Sequence, residues 1–264
     1  MMRLLACAAI IVTSATSTFA ATCGGDFGTF LATFRREAAT QGISQRALAA
    51  LDGVTAPDPQ VLSLDRRQGV FRQSFAQFSG HRIAERLGKG RRMMQTHAAL
   101  LSRIERQFGV PGSVVIAIWG LETDFGVDIG HSQVLRSLAT LAHDCRRTQM
   151  FQGELMAALQ IISRGDLAPA EMRGAWAGEI GQAQFLPSNY VKFAVDYDGN
   201  GRRDLIRSVP DTLASIANLL KSFGWQAGGG YREGSANFAV LAAWNKSTVY
   251  QQTIAAFAER LDGN

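Results

Sequence analysis

Residues 114–121, Val-Val-Ile-Ala-Ile-Trp-Gly-Leu, carry no charged side chain, and the run ends on Glu122. Upstream, Gly109 and Pro111 mark a boundary, and Ser113 is placed to cap the helix that follows, its hydroxyl accepting an orphan backbone N–H. In a helical frame Val114, Val115, Ile118 and Glu122 share one face, because spacings of three, four, seven and eight stack side chains. An apolar face asks for burial, and a carboxylate at its end resists it. Such conflicts gather at functional sites. A carboxyl packed against Ile118 and Trp119 would hold its proton, since desolvation disfavours the anion, and that is what a general acid needs near neutral pH. The alternative is a last-turn residue whose head stands in solvent, and this stretch alone does not choose between them.

Helical periods recur on both sides. Residues 26–39 place Phe27, Phe30, Leu31 and Phe34 on one face, and residues 98–108 do the same with Leu100, Leu101, Ile104 and Phe108 before a stop at Gly109. Residues 132–142, 151–162, 210–223 and 254–261 continue the pattern, with Gly165 and Gly224 as further stops. Residues 52–59 are a turn-rich break. Residues 60–96 are basic and poorly periodic, with Phe71, Phe75 and Phe78 forming an apolar stripe that reads as core. Strict alternation is scarce, so the fold class is mainly α, with small strands expected at most near residues 195–206 or 230–240, and a loop over residues 228–234.

Residues 1–20 have the form of a secretory signal: a basic start, a short apolar centre, and small residues before Ala20. The apolar run is shorter than the ~20 residues of a membrane span. The expectation is an exported, periplasmic mature chain without a transmembrane span, forming a single domain over residues 21–264, with a helical lobe at 26–108 and a core at 109–264. The chain carries a formal charge of +5, of which Arg3 would leave with the signal. A modest positive charge suits an anionic polymer such as a bacterial wall. Nucleic acid is a poor fit, because no dense Lys/Arg run interleaves with aromatics. Export would leave two cysteines, Cys23 and Cys145. An even pair in an oxidising compartment suggests one disulfide, with two free thiols as the alternative.

Several segments together resemble one family. Phe108-Gly-Val-Pro111, Trp119-Gly-Leu-Glu-Thr-Asp-Phe-Gly126, Leu135-Arg-Ser-Leu-Ala-Thr-Leu141, Arg146-Arg147 with Phe151-Gln-Gly-Glu-Leu155, Gly178-Glu-Ile-Gly-Gln-Ala-Gln-Phe-Leu-Pro-Ser188 and Ala194-Val-Asp-Tyr-Asp-Gly-Asn-Gly201 resemble, in order, the B-type lytic murein transglycosylases. The resemblance implies a lysozyme-like α-helical catalytic core with extra N-terminal helices. It implies a monomer that binds peptidoglycan glycan strands and cleaves the MurNAc–GlcNAc bond, leaving a 1,6-anhydro end and consuming no water. Glu122 would donate its proton to the glycosidic oxygen, then take one from the muramic 6-hydroxyl. A goose-lysozyme-like hydrolase and a non-catalytic wall-binding protein are the other readings.

The resemblance also assigns contacts. Gln184 matches a cleft glutamine, against the alternative of an amide tying down a loop. Asn245 and Tyr250 match a saccharide-binding segment in which Trp244 stands at the first aromatic position. Arg146 and Arg147 match an arginine pair suited to substrate carboxylates, the alternative being a salt bridge. Ala175 occupies a position where relatives carry a serine near the acid, so other groups must orient Glu122. Asp124 should face away from Glu122, and Asp128 could fold back. Glu179 lies in the loop of residues 178–185 that the resemblance places by the cleft, among the substrate-binding residues; the alternative is an exposed loop charge, and an approach to Glu122 would raise a pKa or offer water a base. Glu122 is expected to work alone. No cofactor is implied. Asp196, Asp198, Asn200 and Asp204 fall on calcium-loop positions, but Arg207 stands where that loop ends in a bidentate acid, so a metal-free Asp/Gly turn is expected.

Overall fold

Side-chain oxygens of Asp26, Ser44, Asp58, Ser74 and Ser208 each accept an N–H from the turn that follows, and helices start at those points. A computed structural model describes residues 21–67 and 74–263. From the caps run α1 (Phe27–Thr40), α2 (Gln45–Ala49), α3 (Pro59–Arg66) and α4 (Phe75–Thr96), the last opened by a capping box between Ser74 and Gln77. Next come α5 (Ala98–Phe108), α6 (Gly112–Thr123), α7 (Val134–His143) and α8 (Thr148–Arg164). The chain closes with α9 (Pro187–Phe193), α10 (Val209–Ser222), α11 (Ala236–Val240) and α12 (Thr248–Leu261). Gly109 and Gly165 end α5 and α8 in the left-handed region, where a side chain would be strained.

Helix α6 is the axis of the molecule. Helices α4, α5, α10 and α12 pack around it, and every residue from Gly112 to Leu121 is buried. The expected one-sided apolar face is therefore a helix buried all round, which is what an uncharged run of this length permits. Burial of Val114, Val115, Ile116 and Ile118 contributes about 1.5–3 kcal/mol each. Ser113 does not cap it. The helix begins two residues earlier than such a cap would set, after Pro111, and the Ser113 hydroxyl instead donates to Asp262 beyond α12 at 3.0 Å.

A second layer, in which α7 lies on α8 and α8 on α9, carries α1 and α2 through Phe27, Phe30 and Phe34. Cys23 and Cys145 form a disulfide that ties the segment before α1 to the turn between α7 and α8. Strands appear elsewhere than expected. Ser132–Gln133 (β1) pairs antiparallel with Arg173–Gly174 (β2), while residues 236–240 are helical. The sequence around both strands is too short to show alternation. Phe78 is buried, but Phe75 stands 38% exposed at the start of α4, so the aromatic stripe is only partly core. Phe71 and the signal-like residues 1–20 lie outside the described residues. No helix among the described residues is long and apolar enough to cross a membrane.

Candidate active site

Where α6 runs out of packing partners, its next-to-last residue turns into a cleft. Glu122 is the one residue of α6 with appreciable exposure. The cleft encloses about 260 Å³ and is lined by Glu122, Ala175, Glu179, Gln184, Trp244 and Asn245, with Phe185, Leu186 and Asn189 beside them. The helix stops at Thr123, and Asp124 adopts a left-handed φ of 50°. Asp124 turns away to pair with Lys89 at 3.1 Å, while Asp128 is exposed and accepts the Gly130 N–H. Neither lines the cleft.

Two side chains hold the acid. Trp244 Nε1–H and the Tyr250 hydroxyl each donate to Glu122 Oε1 at 2.7 Å. Burial pushes the Glu122 carboxyl above the ordinary range. The two hydrogen bonds and Arg82 oppose that rise, and the charge of Glu179 adds to it. Burial and the neighbouring Glu122 also push the Tyr250 phenol well above its usual value, so it stays a donor throughout the working range. With Oε1 accepting both bonds, Oε2 is the oxygen left to carry the proton. Trp244 and Tyr250 therefore supply the orientation that Ala175 cannot. The sequence offered both as saccharide contacts, and their hold on the acid was not legible because it depends on α12 returning to the end of α6. The Trp244 ring lies tilted against Phe185, their centroids 5.6 Å apart.

Gln184 combines its two readings. Its amide N–H groups go to the carbonyls of Ile129 and Gly181, at 3.1 and 2.9 Å, while the residue lines the cleft with a φ of 49°. Asn245 also lines the cleft, its Oδ1 accepting the Ser247 N–H at 2.9 Å. Arg146 and Arg147 depart from the expectation of substrate contacts. Both turn to Asp65, which is 2% exposed, Arg146 at 3.0 Å and Arg147 in close contact with the other oxygen. A buried carboxylate demands such partners. Glu179 forms part of the cleft wall, where the motif placed it, and is not the exposed charge of the alternative reading.

The wall around Glu179 is built from backbone. Ile180 and Phe185 exchange N–H···O bonds at 2.8 and 3.2 Å, Ala175 N–H donates to Glu179 O at 3.0 Å, and Gly174 bridges to Ile180. A Cβ on Gly174 would stand 1.7 Å from Glu179 O, a main-chain atom. Gly174→Ala should therefore cost at least about 3 kcal/mol, the upper end for overpacking. A thermal melt should show this as a Tm lower by roughly 6–12 °C; an unchanged Tm would contradict the packing described.

Beneath the cleft, Gln182 locks α6 to the segment before α10. It accepts from Trp119 Nε1–H at 3.0 Å and donates to Ile206 O at 2.9 Å. Asp196 and Asp198 of that segment and Asp211 in the first turn of α10 bring carboxylate oxygens within 4.8 Å of one another. Asp211 was not anticipated, although Ser208-Val-Pro-Asp211 has capping-box spacing. It accepts the N–H groups of Tyr197, Asp198 and Asp204 at 2.8–3.2 Å. Asp204 turns to Arg207 Nε at 2.7 Å, and Arg207 also binds Glu171 at 2.5 Å. Asn200 Oδ1 accepts the Arg202 N–H at 2.9 Å. The donor set does not fit a calcium loop, because a guanidinium replaces the closing carboxylate and engages Asp204.

The transglycosylase SLT domain family model matches residues 26–234. Membrane-bound lytic murein transglycosylase B of Escherichia coli (strain K12) is 37% identical over 129 residues, which is 48% of this chain and 36% of that protein's length. The crystal structure of SltB3 from Pseudomonas aeruginosa in complex with NAG-NAM-pentapeptide superimposes with a TM-score of 0.85 at 30% identity, covering 91% of this chain and 81% of that one. Escherichia coli Slt35 in complex with calcium, at 23% identity, gives 0.79 over 92% and 96% and shares the fold. The mainly α, lysozyme-like architecture expected from the sequence is the one found: twelve α-helices and one two-stranded sheet among the described residues.

Proposed function

The chain belongs to the transglycosylase SLT domain family, and from that premise we propose that it is a lytic transglycosylase cleaving the MurNAc–GlcNAc bond of peptidoglycan with Glu122 as acid and then base. The observation that carries this reading is a proton-retaining carboxyl at the floor of a cleft, held through one oxygen by Trp244 and Tyr250. Glu122 Oε2 delivers its proton to the glycosidic oxygen as the bond to the anomeric carbon breaks. The resulting carboxylate, steadied by two donors on Oε1, takes the proton of the muramic 6-hydroxyl while that oxygen bonds to the anomeric carbon. The carboxyl is restored, and no water is consumed. Asn245 and the free face of Gln184 offer amide groups to acetamido substituents.

Hydrolysis would need an ionised second carboxylate to activate water. The candidate, Glu179, keeps its Oε2 buried away from solvent, which disfavours that role. Mass spectrometry of products from purified sacculi tests the assignment. Anhydro ends one water lighter than reducing ends are expected, and reducing ends alone would overturn it. An exported, periplasmic location follows from a wall substrate and from the signal-like start of the sequence.

The reaction takes no cofactor, and the Asp/Gly turn of residues 196–207 is proposed to be metal-free. Adding Ca²⁺ or a chelator should leave Tm unchanged, whereas Arg207→Glu, which restores the closing acid, should make Tm rise with Ca²⁺. A Ca²⁺-dependent Tm in the unaltered chain would sink this proposal.

A further inference from the structure

The cleft has a second carboxyl that the proposed chemistry does not use. Glu179 lines the same cavity as Glu122, and its Oε2 is buried without a hydrogen-bond partner among the described residues. Burial pushes its carboxyl above the ordinary range, and the N–H groups of Glu179 itself and of Ala177 oppose that rise. A buried carboxylate oxygen without a donor is costly, and native structures keep few of them. Its position is not accidental slack, because the backbone bonds around Gly174, Ala175, Ile180 and Phe185 fix the loop that presents it.

We propose that Glu179 is a positioning residue for Glu122: a second carboxyl, walled into the same cleft, whose charge keeps the proton on Glu122 toward neutral pH, so that the two groups titrate as a pair. Like charges in a water-poor cleft cannot both form cheaply, so the last proton leaves only at a pH above that of a lone carboxyl. On the lytic transglycosylase reading, the same field serves both halves of the cycle. It retains the proton Glu122 must donate, and it makes the resulting carboxylate a stronger base for the 6-hydroxyl.

The surrounding charges bound the effect. Arg82 from α4 acts on Glu122 in the opposite sense, and Tyr250 from α12 stays neutral there. Glu154 from α8 raises Glu179, while Arg147, at the start of α8, lowers it. Both are already engaged: Glu154 with the Ser188 N–H and hydroxyl at 2.9 and 2.7 Å, Arg147 with Asp65. Neither supplies a hydrogen bond to Glu179 Oε2.

The test is a pH titration of the side-chain carboxyl carbons of ¹³C-labelled glutamates by NMR, in the unaltered chain, in Glu179→Gln and in Glu122→Gln. In Glu179→Gln the Glu122 midpoint should fall by about one pH unit, the size at which two sites titrate as a pair. Glu122→Gln should leave the Glu179 midpoint nearly unchanged, because Glu179 ionises while Glu122 still holds its proton. Should Glu179→Gln fail to fold, the order of the two midpoints in the unaltered chain decides: Glu179 below Glu122 is expected, and the reverse order would overturn the proposal. The alkaline limb of the activity profile should move to lower pH in Glu179→Gln, a change that a purely structural role would not produce. A Glu122 midpoint that stays put in Glu179→Gln would overturn the proposal. Because the titration needs no substrate, that failure is separate from failure of the lytic reading: coupled midpoints without anhydro products would sink the latter, and anhydro products with uncoupled midpoints the former.

Discussion

Glu122→Gln should lower turnover of purified sacculi by about 10²–10⁴-fold, the range general acid–base catalysis supplies, and at the same time raise Tm at neutral pH. The first effect follows because the amide keeps the shape and still accepts from Trp244 and Tyr250, yet has no proton to give. The second follows from linkage. The folded-state pKa of Glu122 is raised above its unfolded value. The folded chain therefore binds the proton more tightly than the unfolded chain, and the stability this contributes is complete below the unfolded pKa. It is lost as pH rises through the folded pKa. Glutamine suffers no such loss, so the gain in Tm should be absent at acid pH and appear as pH rises. Full turnover by the variant on sacculi would sink the catalytic assignment. Loss of turnover with a lower Tm at neutral pH would mean that Glu122 serves the fold rather than the reaction. In the unaltered enzyme, activity should fall as pH rises through that same raised pKa, because the acid form begins the cycle.

How much of this was legible in the sequence depends on whether the information was local. Periodicity placed α1, α5, α7, α8 and α10 to within a few residues and found the second half of α12, because each has an apolar stripe and most have a cap or a glycine stop. Helix α6 was found by its lack of charge, but its all-round burial was not, since that depends on four other helices closing on it. The short α2, α9 and α11 and the two-residue strands carry too little pattern to be read. In the site, Glu122 was visible as a carboxylate at the end of an apolar run. The donors that hold it lie 122 and 128 residues away, and no spacing rule reaches that far. For Glu179 only the motif pointed to the cleft, for a related reason. A charge in a Gly-rich loop is ordinarily solvated, and only the backbone bridges that fold residues 174–185 onto themselves place it in the cleft wall.

Arg146 and Arg147 give the other large effect, and it should appear in stability rather than in catalysis. Asp65 is 2% exposed and bound by both guanidiniums, which are themselves 49% and 37% exposed. Removing both partners strands a buried carboxylate. Such a break costs about 3–5 kcal/mol in a dry interior, and the half-exposed arginines place this one near the lower end, about 3 kcal/mol. Either single Ala variant should cost less than half of that, since one guanidinium remains to neutralise Asp65, making the pair more than additive. Adding Asp65→Asn to the double variant should restore part of the loss by removing the stranded charge. Arg146 is the cleaner probe of substrate binding, because Arg147 also acts on Glu179. Per folded molecule, Arg146→Ala should keep kcat/KM on sacculi within about two-fold, the scale of the weak interaction expected of an exposed guanidinium. A tenfold loss with an unchanged Tm would instead return Arg146 to the substrate, as the motif first implied.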